Sequence, residues 1–316
     1  MYNVFIDGKE GTTGLRIFDR LSDRTDIELI TLPEAKRKDA KSRAVALNNC
    51  DIAILCLPDA AAREAVSLIE NGHVRVIDAS TAHRTAPGWV YGFPELQANG
   101  FRNVQSATRV SVPGCHASGF LALIAPLVQN GILKKDALIS CTSLTGYSGG
   151  GRRMIAHYEA DYRDVQLKAP RLYALGQAHK HLPEMQHYSD LDTAPAFLPI
   201  VADYLCGMLT IIPVFSAQLT PGKTAGDIKS VYQALYGGPL MQYREQMDEN
   251  GYLSGGRLSG LDGMDVSVSG NDERITLLAR FDNLGKGASG AAIECLNIMI
   301  GANPYEGLNL GKESEL

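Results

Sequence analysis

The chain has 316 residues, of which 45% are hydrophobic and 21% charged, and its formal net charge is −5. This composition is typical of a globular protein with about two domains, and scattered basic residues argue against a nucleic-acid partner. The longest apolar run is far shorter than the roughly 18–20 residues that span a bilayer, so we expect no membrane segment. The six cysteines form no C-x-x-C pair, which favours reduced thiols in the cytoplasm and no bound metal.

The first third of the chain alternates short apolar strands with helices. We predict strands at Tyr2–Ile6, Ile27–Leu32, Ile52–Leu57 and Val74–Asp78, and helices at Leu15–Leu21, Ala40–Asn49 and from an Asp59 cap through Glu70. Continuously apolar strands that alternate with helices indicate a parallel sheet covered on both faces. We therefore expect an α/β protein whose residues 1–114 form a Rossmann-type domain.

The pattern changes after residue 114, where the strands become longer and more alternating. Examples are Gly207–Phe215, Met264–Ser269 and Arg274–Phe281, while Ala160–Pro195 reads as irregular. Residues 115–287 are thus predicted to form an α+β domain with a mixed or antiparallel sheet. The resemblance described below implies that this domain carries catalysis, substrate binding and oligomerisation, and that residues 1–114 bind NADP. A C-terminal helix within 288–316 is expected to return to the first domain.

A glycine-rich turn joins the first strand to the first helix. Its spacing is G-x-x-G-x-x-G, which differs from the commonest dinucleotide fingerprint, and an ordinary tight turn is the alternative. Glycines allow backbone amides to approach a pyrophosphate, and the helix N-terminus favours its negative charge. The cofactor-binding candidates here are Gly8, Gly11, Thr12, Thr13 and Gly14.

The residues after the second strand bear on the choice between NAD and NADP. Glu34 stands where an acidic residue would bind a ribose hydroxyl, but the basic run Lys36–Lys38 would suit a 2′-phosphate. A solvated loop is the alternative for any one of these side chains. We favour NADP, with Arg37 and Lys38 as phosphate ligands, mainly because of the resemblance described below.

Cys115 lies at the start of a predicted helix, directly after Pro113 and Gly114. A thiol at a helix N-terminus lies at the positive end of the helix dipole, which favours the nucleophilic thiolate. Nearby amides could also stabilise an oxyanion. A structural cysteine is the alternative, and it is the interpretation that we adopt for the other five cysteines.

Two segments further along carry groups that could serve a reactive thiol. His179 and His181 are two residues apart, so on an extended backbone they share a face and either could act as acid or base. His116 follows Cys115 but is interpreted as a surface or helix-capping residue. Gly149 and Gly150, with Gly151, could form an anion-binding nest, and the adjacent Arg152 could bind a phosphate; a flexible connector is the alternative.

Together these segments resemble one known family along nearly the whole chain, the N-acetyl-gamma-glutamyl-phosphate reductases of arginine biosynthesis, in their shorter subtype. The segments that carry the resemblance are Gly8–Gly14, Ile77–Arg84, Gly92–Leu96, Pro113–Cys115, Gly149–Arg152, His179–Glu184 and Asp282–Gly287. The longer subtype tends to have Pro-Gly-Cys-Tyr where this chain has Pro-Gly-Cys-His, a departure that leaves the nucleophile intact.

The resemblance implies that NADPH reduces an acyl phosphate, N-acetyl-L-glutamyl 5-phosphate, through a thioester on Cys115. It implies an acid/base in the histidine pair, with His181 preferred, places Asn283 near the nicotinamide, and suggests a homodimer or homotetramer. Ser80 joins the cofactor-binding candidates, and Arg109 joins the candidates for substrate or phosphate binding.

Three other functions remain open on the sequence. An enzyme similar to aspartate-semialdehyde dehydrogenase would share the thioester chemistry and would act on aspartyl phosphate. A non-catalytic NADP(H)-sensing protein would bind the nucleotide without turnover. A thiol hydrolase would need no nucleotide, and the glycine turn within a βαβ pattern argues against it.

Overall fold

The structure is a computed structural model that describes residues 1–311. The chain divides into two compact units. The first comprises residues 1–114 and 288–308, and the second comprises residues 115–287 with the described residues from 309 on.

The first unit is built on a parallel sheet with the strand order β2-β1-β3-β4-β6-β5. Its strands are β1 (Tyr2–Asp7), β2 (Ile27–Ile30), β3 (Ile52–Leu55), β4 (Arg75–Asp78), β5 (Val90–Tyr91) and β6 (Arg109–Ser111), and its helices before residue 115 are α1 (Thr12–Leu21), α2 (Ala40–Asn48), α3 (Asp59–Ser67) and α4 (Gly100–Ser106). All paired strands run parallel. The predicted Rossmann-type sheet is confirmed.

Helices cover both faces of this sheet. Ile17 of α1 and Val104 of α4 are fully buried in the core on one face, and Leu47 of α2 and Ala62 of α3 are fully buried in the core on the other. Because burial on both faces removes the need for polar positions, these strands are apolar throughout. The prediction that Asp59 caps α3 was wrong: α3 begins at Asp59, whose carboxylate accepts a hydrogen bond from the Thr81 amide at 3.0 Å.

The second unit contains a mixed sheet in the order β11-β12-β13-β10-β7-β9-β8. Its helices are α5 (Cys115–Gln129), α6 (Gly151–Tyr158), α7 (Leu182–Ser189) and α8 (Ala225–Leu235), and its strands are β7 (Ser140–Gly146), β8 (Arg171–Leu172), β9 (Ala196–Ala202), β10 (Met208–Phe215), β11 (Met241–Tyr243), β12 (Met264–Gly270) and β13 (Arg274–Phe281). The central pairs β7–β10, β10–β13 and β12–β13 are antiparallel, whereas β7–β9 is parallel. The prediction of a mixed sheet is therefore confirmed.

Helix α5 is the buried centre of the second unit. Its residues from His116 to Val128 are all buried, and Gly119 packs so closely on Thr210 of β10 that a methyl group would collide with the threonine hydroxyl. The hydroxyl of Tyr236, at the end of α8, donates to the α5 backbone at Ala122 over 2.7 Å. These contacts fix the position of the α5 N-terminus, where Cys115 lies. Over residues 1–311, no helix has the length and apolarity required to cross a membrane.

The last helix, α9 (Gly290–Ile300), belongs to the first unit, where Ile293 and Leu296 are fully buried in the same core as Ile17. It ends at Gly301, which adopts a left-handed φ of 76°. This is the helix expected within residues 288–316, of which residues 312–316 lie outside the described residues. The stretch predicted to be irregular, Ala160–Pro195, contains both β8 and α7.

Candidate active site

The glycine turn of the first unit lies at the carboxyl end of β1. Gly8 has a left-handed φ of +86°, and a methyl group there would collide with the Cys56 carbonyl. A methyl group on Gly14 would come within 2.5 Å of the Gly8 carbonyl oxygen. Helix α1 follows from Gly11 with no side-chain cap, so the amides of Thr12 and Thr13 open its first turn. A helix start of this kind suits a phosphate anion.

The segment predicted to select the nucleotide forms a short 3₁₀ turn, Glu34–Lys36, after β2. Arg37 forms an ion pair with Glu34 at 3.3 Å, and Lys38 is exposed. Because the Glu34 side chain is largely exposed, this pair is weak and either partner can turn to a ligand. Arg37 and Lys38 could therefore bind a 2′-phosphate, as predicted from the sequence, and this role stays a prediction.

Ser80 lies in a hydrogen-bonded loop after β4, within the first unit. Its hydroxyl donates to the Asp78 carboxylate at 2.8 Å and accepts from the Ala82 amide at 3.1 Å. The same carboxylate bonds Nδ1 of His83 at 2.6 Å, and the His83 ring stacks on Trp89 with a centroid separation of 4.2 Å. The Ser80 side chain thus shapes this loop, and its role in cofactor binding stays a prediction.

Arg109 occupies the amino end of β6, opposite to the carboxyl edge that carries the glycine turn. Its guanidinium donates to the carbonyls of Val74 and Thr108 at 2.8 and 3.2 Å. Its position and bonds are those of a residue that ties two strand ends together. The structure gives the predicted role of Arg109 in substrate or phosphate binding no support.

Cys115 is the first residue of α5 and is half-buried. The backbone of Gly287, in a π-helical turn over Gly285–Ser289, lies directly against it: a methyl group on Gly287 would come within 2.9 Å of the Cys115 Cβ atom. Burial raises the pKa of Cys50 and of Cys56 to about 12. These two thiols therefore stay protonated, which agrees with a structural role for them.

Three histidine rings meet in the second unit, one of them that of His116, the residue after Cys115. The ring of His179 packs edge-on against those of His181 and His116, with centroid separations of 4.7 and 5.5 Å. Phe197 of β9 packs against His116 and His179 at 5.2 and 5.1 Å. The structure therefore brings both predicted acid/base candidates to the start of the helix that carries Cys115.

The loop that carries these histidines is fixed to β9. Both ends of the Gln177 amide bond the backbone of Phe197 at 2.8 Å, which imitates the pairing of a strand. The amide of His181 donates to Nδ1 of His179 at 3.2 Å, and α7 begins at the next residue. No periodic pattern announces such a loop, because its order comes from side chain to backbone bonds.

His116 is buried, which corrects the interpretation of this residue as a surface or capping histidine. Its Nδ1 atom bonds the Ser143 hydroxyl and its Nε2 atom bonds the Tyr173 hydroxyl, both at 2.7 Å. Burial, together with the charges of His179 and Lys180, lowers the pKa of His116 to about 3. The ring is therefore neutral at physiological pH. The sequence hinted at this role only through the position of His116 on a helix that is apolar throughout.

Asn283 is buried and joins two loops of the second unit. Its amide nitrogen donates to the Ser148 hydroxyl at 2.9 Å, and its carbonyl oxygen accepts from the Gly207 amide at 3.0 Å. Gly149 lies beside the same amide group, since a methyl carbon on Gly149 would be 3.7 Å from the Asn283 nitrogen. Asn283 therefore supports the glycine-rich turn, and its predicted contact with the nicotinamide stays a prediction.

Gly149 and Gly150 are exposed in the 3₁₀ turn Tyr147–Gly150, directly before α6. Arg152 lies in the first turn of α6 and is also exposed. A helix start with glycine amides and a guanidinium can bind a phosphate. The sequence prediction for these three residues thus agrees with their placement but is not tested by it.

Two family models match the chain in the order of its two units. The model described as "Semialdehyde dehydrogenase, NAD binding domain" matches residues 33–104, and that described as "Semialdehyde dehydrogenase, dimerisation domain" matches residues 115–283. Solved structures agree in fold: aspartate semialdehyde dehydrogenase II from Vibrio cholerae, solved with ASA, has a TM-score of 0.71 at 14% identity, covering 95% of this chain and 98% of that one. The enzyme from Francisella tularensis has a TM-score of 0.71 at 16% identity, covering 95% and 100%. The fold and the site thus define a protein of the semialdehyde dehydrogenase class.

The most informative relatives are N-acetyl-gamma-glutamyl-phosphate reductases. The reductase from Burkholderia cenocepacia is 45% identical, covering 95% of this chain and 97% of that protein. Reductase 2 from Nostoc is 43% identical, covering 96% and 98%, and reductase 2 from Pseudomonas putida is 45% identical, covering 95% and 97%. The chain belongs to the N-acetyl-gamma-glutamyl-phosphate reductase family.

Proposed function

We propose that this chain reduces N-acetyl-L-glutamyl 5-phosphate to N-acetyl-L-glutamate 5-semialdehyde and phosphate, with NADPH as reductant, in arginine biosynthesis. Identity above 40% along almost the whole length of named reductases supports the reaction. The observation that carries the mechanism is the placement of Cys115 at a helix start, against the Gly287 backbone and beside a cluster of histidine rings.

The first unit has the features that a dinucleotide requires. Side chains are excluded at Gly8 and Gly14 by the carbonyls that a methyl group would meet, so the backbone is open to a pyrophosphate at the start of α1. Arg37 and Lys38 are the groups proposed to bind the 2′-phosphate of NADP(H). When bound, the cofactor supplies the hydride, and the protein supplies position and charge.

Cys115 is the proposed nucleophile. Its thiolate attacks the acyl carbon of the acyl phosphate, the C–O bond to phosphate breaks, and phosphate leaves with the bonding pair, which produces a thioester. The helix start around Cys115 offers amides to the oxyanion that forms in this step. Hydride addition to the thioester carbon gives a tetrahedral alkoxide, which takes a proton from a histidine of the cluster and becomes a thiohemiacetal. Its collapse breaks the C–S bond, releases the aldehyde and regenerates the thiolate.

The histidine cluster supplies the proton transfers. The thiohemiacetal hydroxyl must lose a proton as the C–S bond breaks, and histidine is the side chain most often used as such a base. We propose that this base is His181 or His179, with His181 preferred on the resemblance. The departing phosphate is proposed to be bound by Arg152 with the amides of Gly149 and Gly150.

The two units are proposed to have different functions. Residues 1–114, with α9, would bind NADP(H), and residues 115–287 would carry catalysis and the oligomer interface. The matched description "dimerisation domain" supports a homodimer or homotetramer. A cytoplasmic location is supported by the cysteines, which are all outside disulfides in the described structure.

The test runs the reaction backwards, by mixing purified protein with N-acetyl-glutamate semialdehyde, phosphate and NADP and following NADPH absorbance. Phosphate-dependent NADPH formation is expected, with Cys115→Ser reducing it to background while NADPH binding persists. Cys206→Ser is the matched control, because Cys206 is also a half-buried thiol of the second unit. A Cys115→Ser variant with near-normal rate would contradict the mechanism.

The same assay separates the rival functions. Signal with aspartate semialdehyde and none with the acetylated glutamyl compound would keep the thioester mechanism and assign another substrate. Tight NADPH binding without turnover of either aldehyde would indicate a nucleotide-sensing protein.

A further inference from the structure

A chain of hydrogen bonds leads from the interior of the second unit to Tyr173. The hydroxyls of Thr210 and Ser143 are 3.3 Å apart, Ser143 bonds Nδ1 of His116 at 2.7 Å, and Nε2 of His116 bonds the Tyr173 hydroxyl at 2.7 Å. His116 is the residue after Cys115 on α5, so the chain ends close to the proposed nucleophile. None of the reaction steps above uses Tyr173.

The backbone also holds Tyr173 in place. It directly follows β8, and its amide donates to the Pro199 carbonyl of β9 at 3.1 Å. The next residue, Ala174, adopts a left-handed φ of 53°, which turns the chain away from the strand. A non-glycine residue in this conformation costs free energy and is often associated with a functional site.

The phenol of Tyr173 is a neutral donor at the pH of the reaction. Burial, and then the negative charge of a Cys115 thiolate, raise the pKa of Tyr173 above its usual range. The bond to His116, the residue after Cys115, places the phenol near the start of α5. The proton thus remains on the Tyr173 oxygen, where it can be donated to an acceptor.

The direction of donation depends on the tautomer of His116. A neutral imidazole carries one N–H, so it donates at one nitrogen and accepts at the other. If Thr210 donates to Ser143 and Ser143 donates to Nδ1, then Nε2–H donates to the Tyr173 oxygen. In that arrangement the Tyr173 proton is not used within the chain of bonds and is available to a bound substrate.

We propose that Tyr173 is a further catalytic residue, which donates a hydrogen bond to the acyl oxygen of the substrate as negative charge develops on it, and that neutral His116 is its positioning residue. This inference rests on the proposed function, because it requires a covalent acyl group on Cys115. When the thiolate attacks, the electron pair of the C=O bond moves to oxygen, and the Tyr173 hydroxyl stabilises that charge without transferring its proton.

The first measurement compares Tyr173→Phe with the wild type in the aldehyde oxidation assay. Removing one oxyanion donor typically lowers kcat about 10²- to 10³-fold, and we expect a loss of about 10²-fold with KM for the aldehyde within about threefold, since the charge exists mainly in the transition state. Tyr252→Phe is the matched control, because Tyr252 is 80% exposed in the same unit. A Tyr173→Phe variant within threefold of wild-type kcat would overturn the proposal.

Two substitutions of His116 separate positioning from folding. The glutamine amide of His116→Gln reaches the position of Nε2 and can still bond Tyr173, whereas the shorter amide of His116→Asn reaches only Ser143. We expect His116→Gln to keep most of kcat and His116→Asn to match Tyr173→Phe, with no further loss in the double variant. Equal losses in both His116 variants, or additive losses in the double variant, would show that His116 does not act through Tyr173.

A second readout keeps this inference distinct from the proposed function. p-Nitrophenyl acetate acylates a nucleophilic cysteine and needs neither NADPH nor the native substrate, so its p-nitrophenolate release reports the oxyanion step alone. Tyr173→Phe should slow this release at least tenfold and Cys115→Ser should abolish it. If the wild type fails on both aldehydes while Tyr173→Phe still slows acylation, the proposed substrate is wrong and the role of Tyr173 stands; if acylation is unchanged, that role is refuted.

Discussion

Replacing Gly287 with alanine tests how tightly the position of Cys115 is controlled. The new methyl group would come within 2.9 Å of the Cys115 Cβ atom and within 3.1 Å of the Asp282 carbonyl oxygen. Carbon atoms pack at about 3.5–4.0 Å, so the two segments must separate by roughly 1 Å. No left-handed φ is involved at residue 287, and the effect is therefore one of space alone.

The expected loss follows from that displacement. A misplacement of about 1 Å at a reacting group can lower the rate about 10²-fold, and we expect kcat for phosphate-dependent NADP reduction to fall 10- to 100-fold. Overpacking typically costs about 1–3 kcal/mol of stability, which a protein of this size survives. NADPH binding, followed by nucleotide fluorescence, should remain within about threefold of wild type.

Gly237→Ala is the matched control, because no atom lies within 4 Å of the position of its methyl group. It should leave kcat unchanged. Two results for Gly287→Ala would together refute the claim that this backbone contact positions the nucleophile. They are a kcat equal to that of the wild type and alkylation of Cys115 by iodoacetamide at the wild-type rate.

Three further changes test other parts of the structure. Gly8→Ala should abolish NADPH binding in a fluorescence titration, because the new methyl group would collide with a backbone carbonyl. Gly88→Ala is its control: Gly88 also has a positive φ, +80°, but no atom lies within 4 Å of the new methyl group. This variant should suffer only backbone strain and should bind NADPH normally. Burial lowers the pKa of His116 to about 3 from an ordinary 6.5, so the contribution of the neutral ring to stability is complete above pH 6.5 and is lost as the pH falls towards 3. Over this range the free energy of unfolding falls by up to about 1.4 kcal/mol per pH unit. The free energy of unfolding of His116→Gln, measured in urea, should therefore depend less on pH between 3 and 6.5. Asn283→Ala leaves the Gly207 amide without its acceptor and should lower the free energy of unfolding by about 1–3 kcal/mol, which the urea midpoint measures; an unchanged midpoint would show that the two loops are held by other contacts.

The sequence predicted the first sheet well because local signals agree with the tertiary structure there. Strands such as Ile52–Leu55 are apolar on both faces, and the glycine turn marks the junction of β1 and α1. Prediction from the sequence failed where the local structure depends on contacts with residues that are distant in the chain. The helix Leu182–Ser189 lies in a stretch rich in histidine and proline, and its N-terminus is fixed by a loop that Gln177 pins to β9.

The same difference between local and distant contacts explains which residues of the candidate site could be predicted. Cys115 could be found from the sequence, because proline and glycine before a helix are local signals for an exposed helix start. The residues around Cys115 could not be predicted, because they are distant in sequence. Gly287 is far along the chain, and Tyr173 bonds His116, which lies 57 residues before it. The burial of His116 is not evident from its polar side chain, and only the apolar helix around it indicates an interior position.

The burial of His116 also narrows the choice of acid/base. A ring whose pKa is about 3 cannot take up a proton near neutral pH at a useful rate, since the best catalytic pKa lies near the operating pH. His116 is the histidine adjacent to Cys115 in sequence, yet its environment makes it a fixed, neutral hydrogen-bonding group. We therefore propose that proton transfer falls to His179 or His181, whose rings adjoin that of His116. In this proposal the cluster separates two tasks that one histidine often combines: the His116 ring stays neutral and orients the Tyr173 hydroxyl, and a neighbouring ring exchanges the proton.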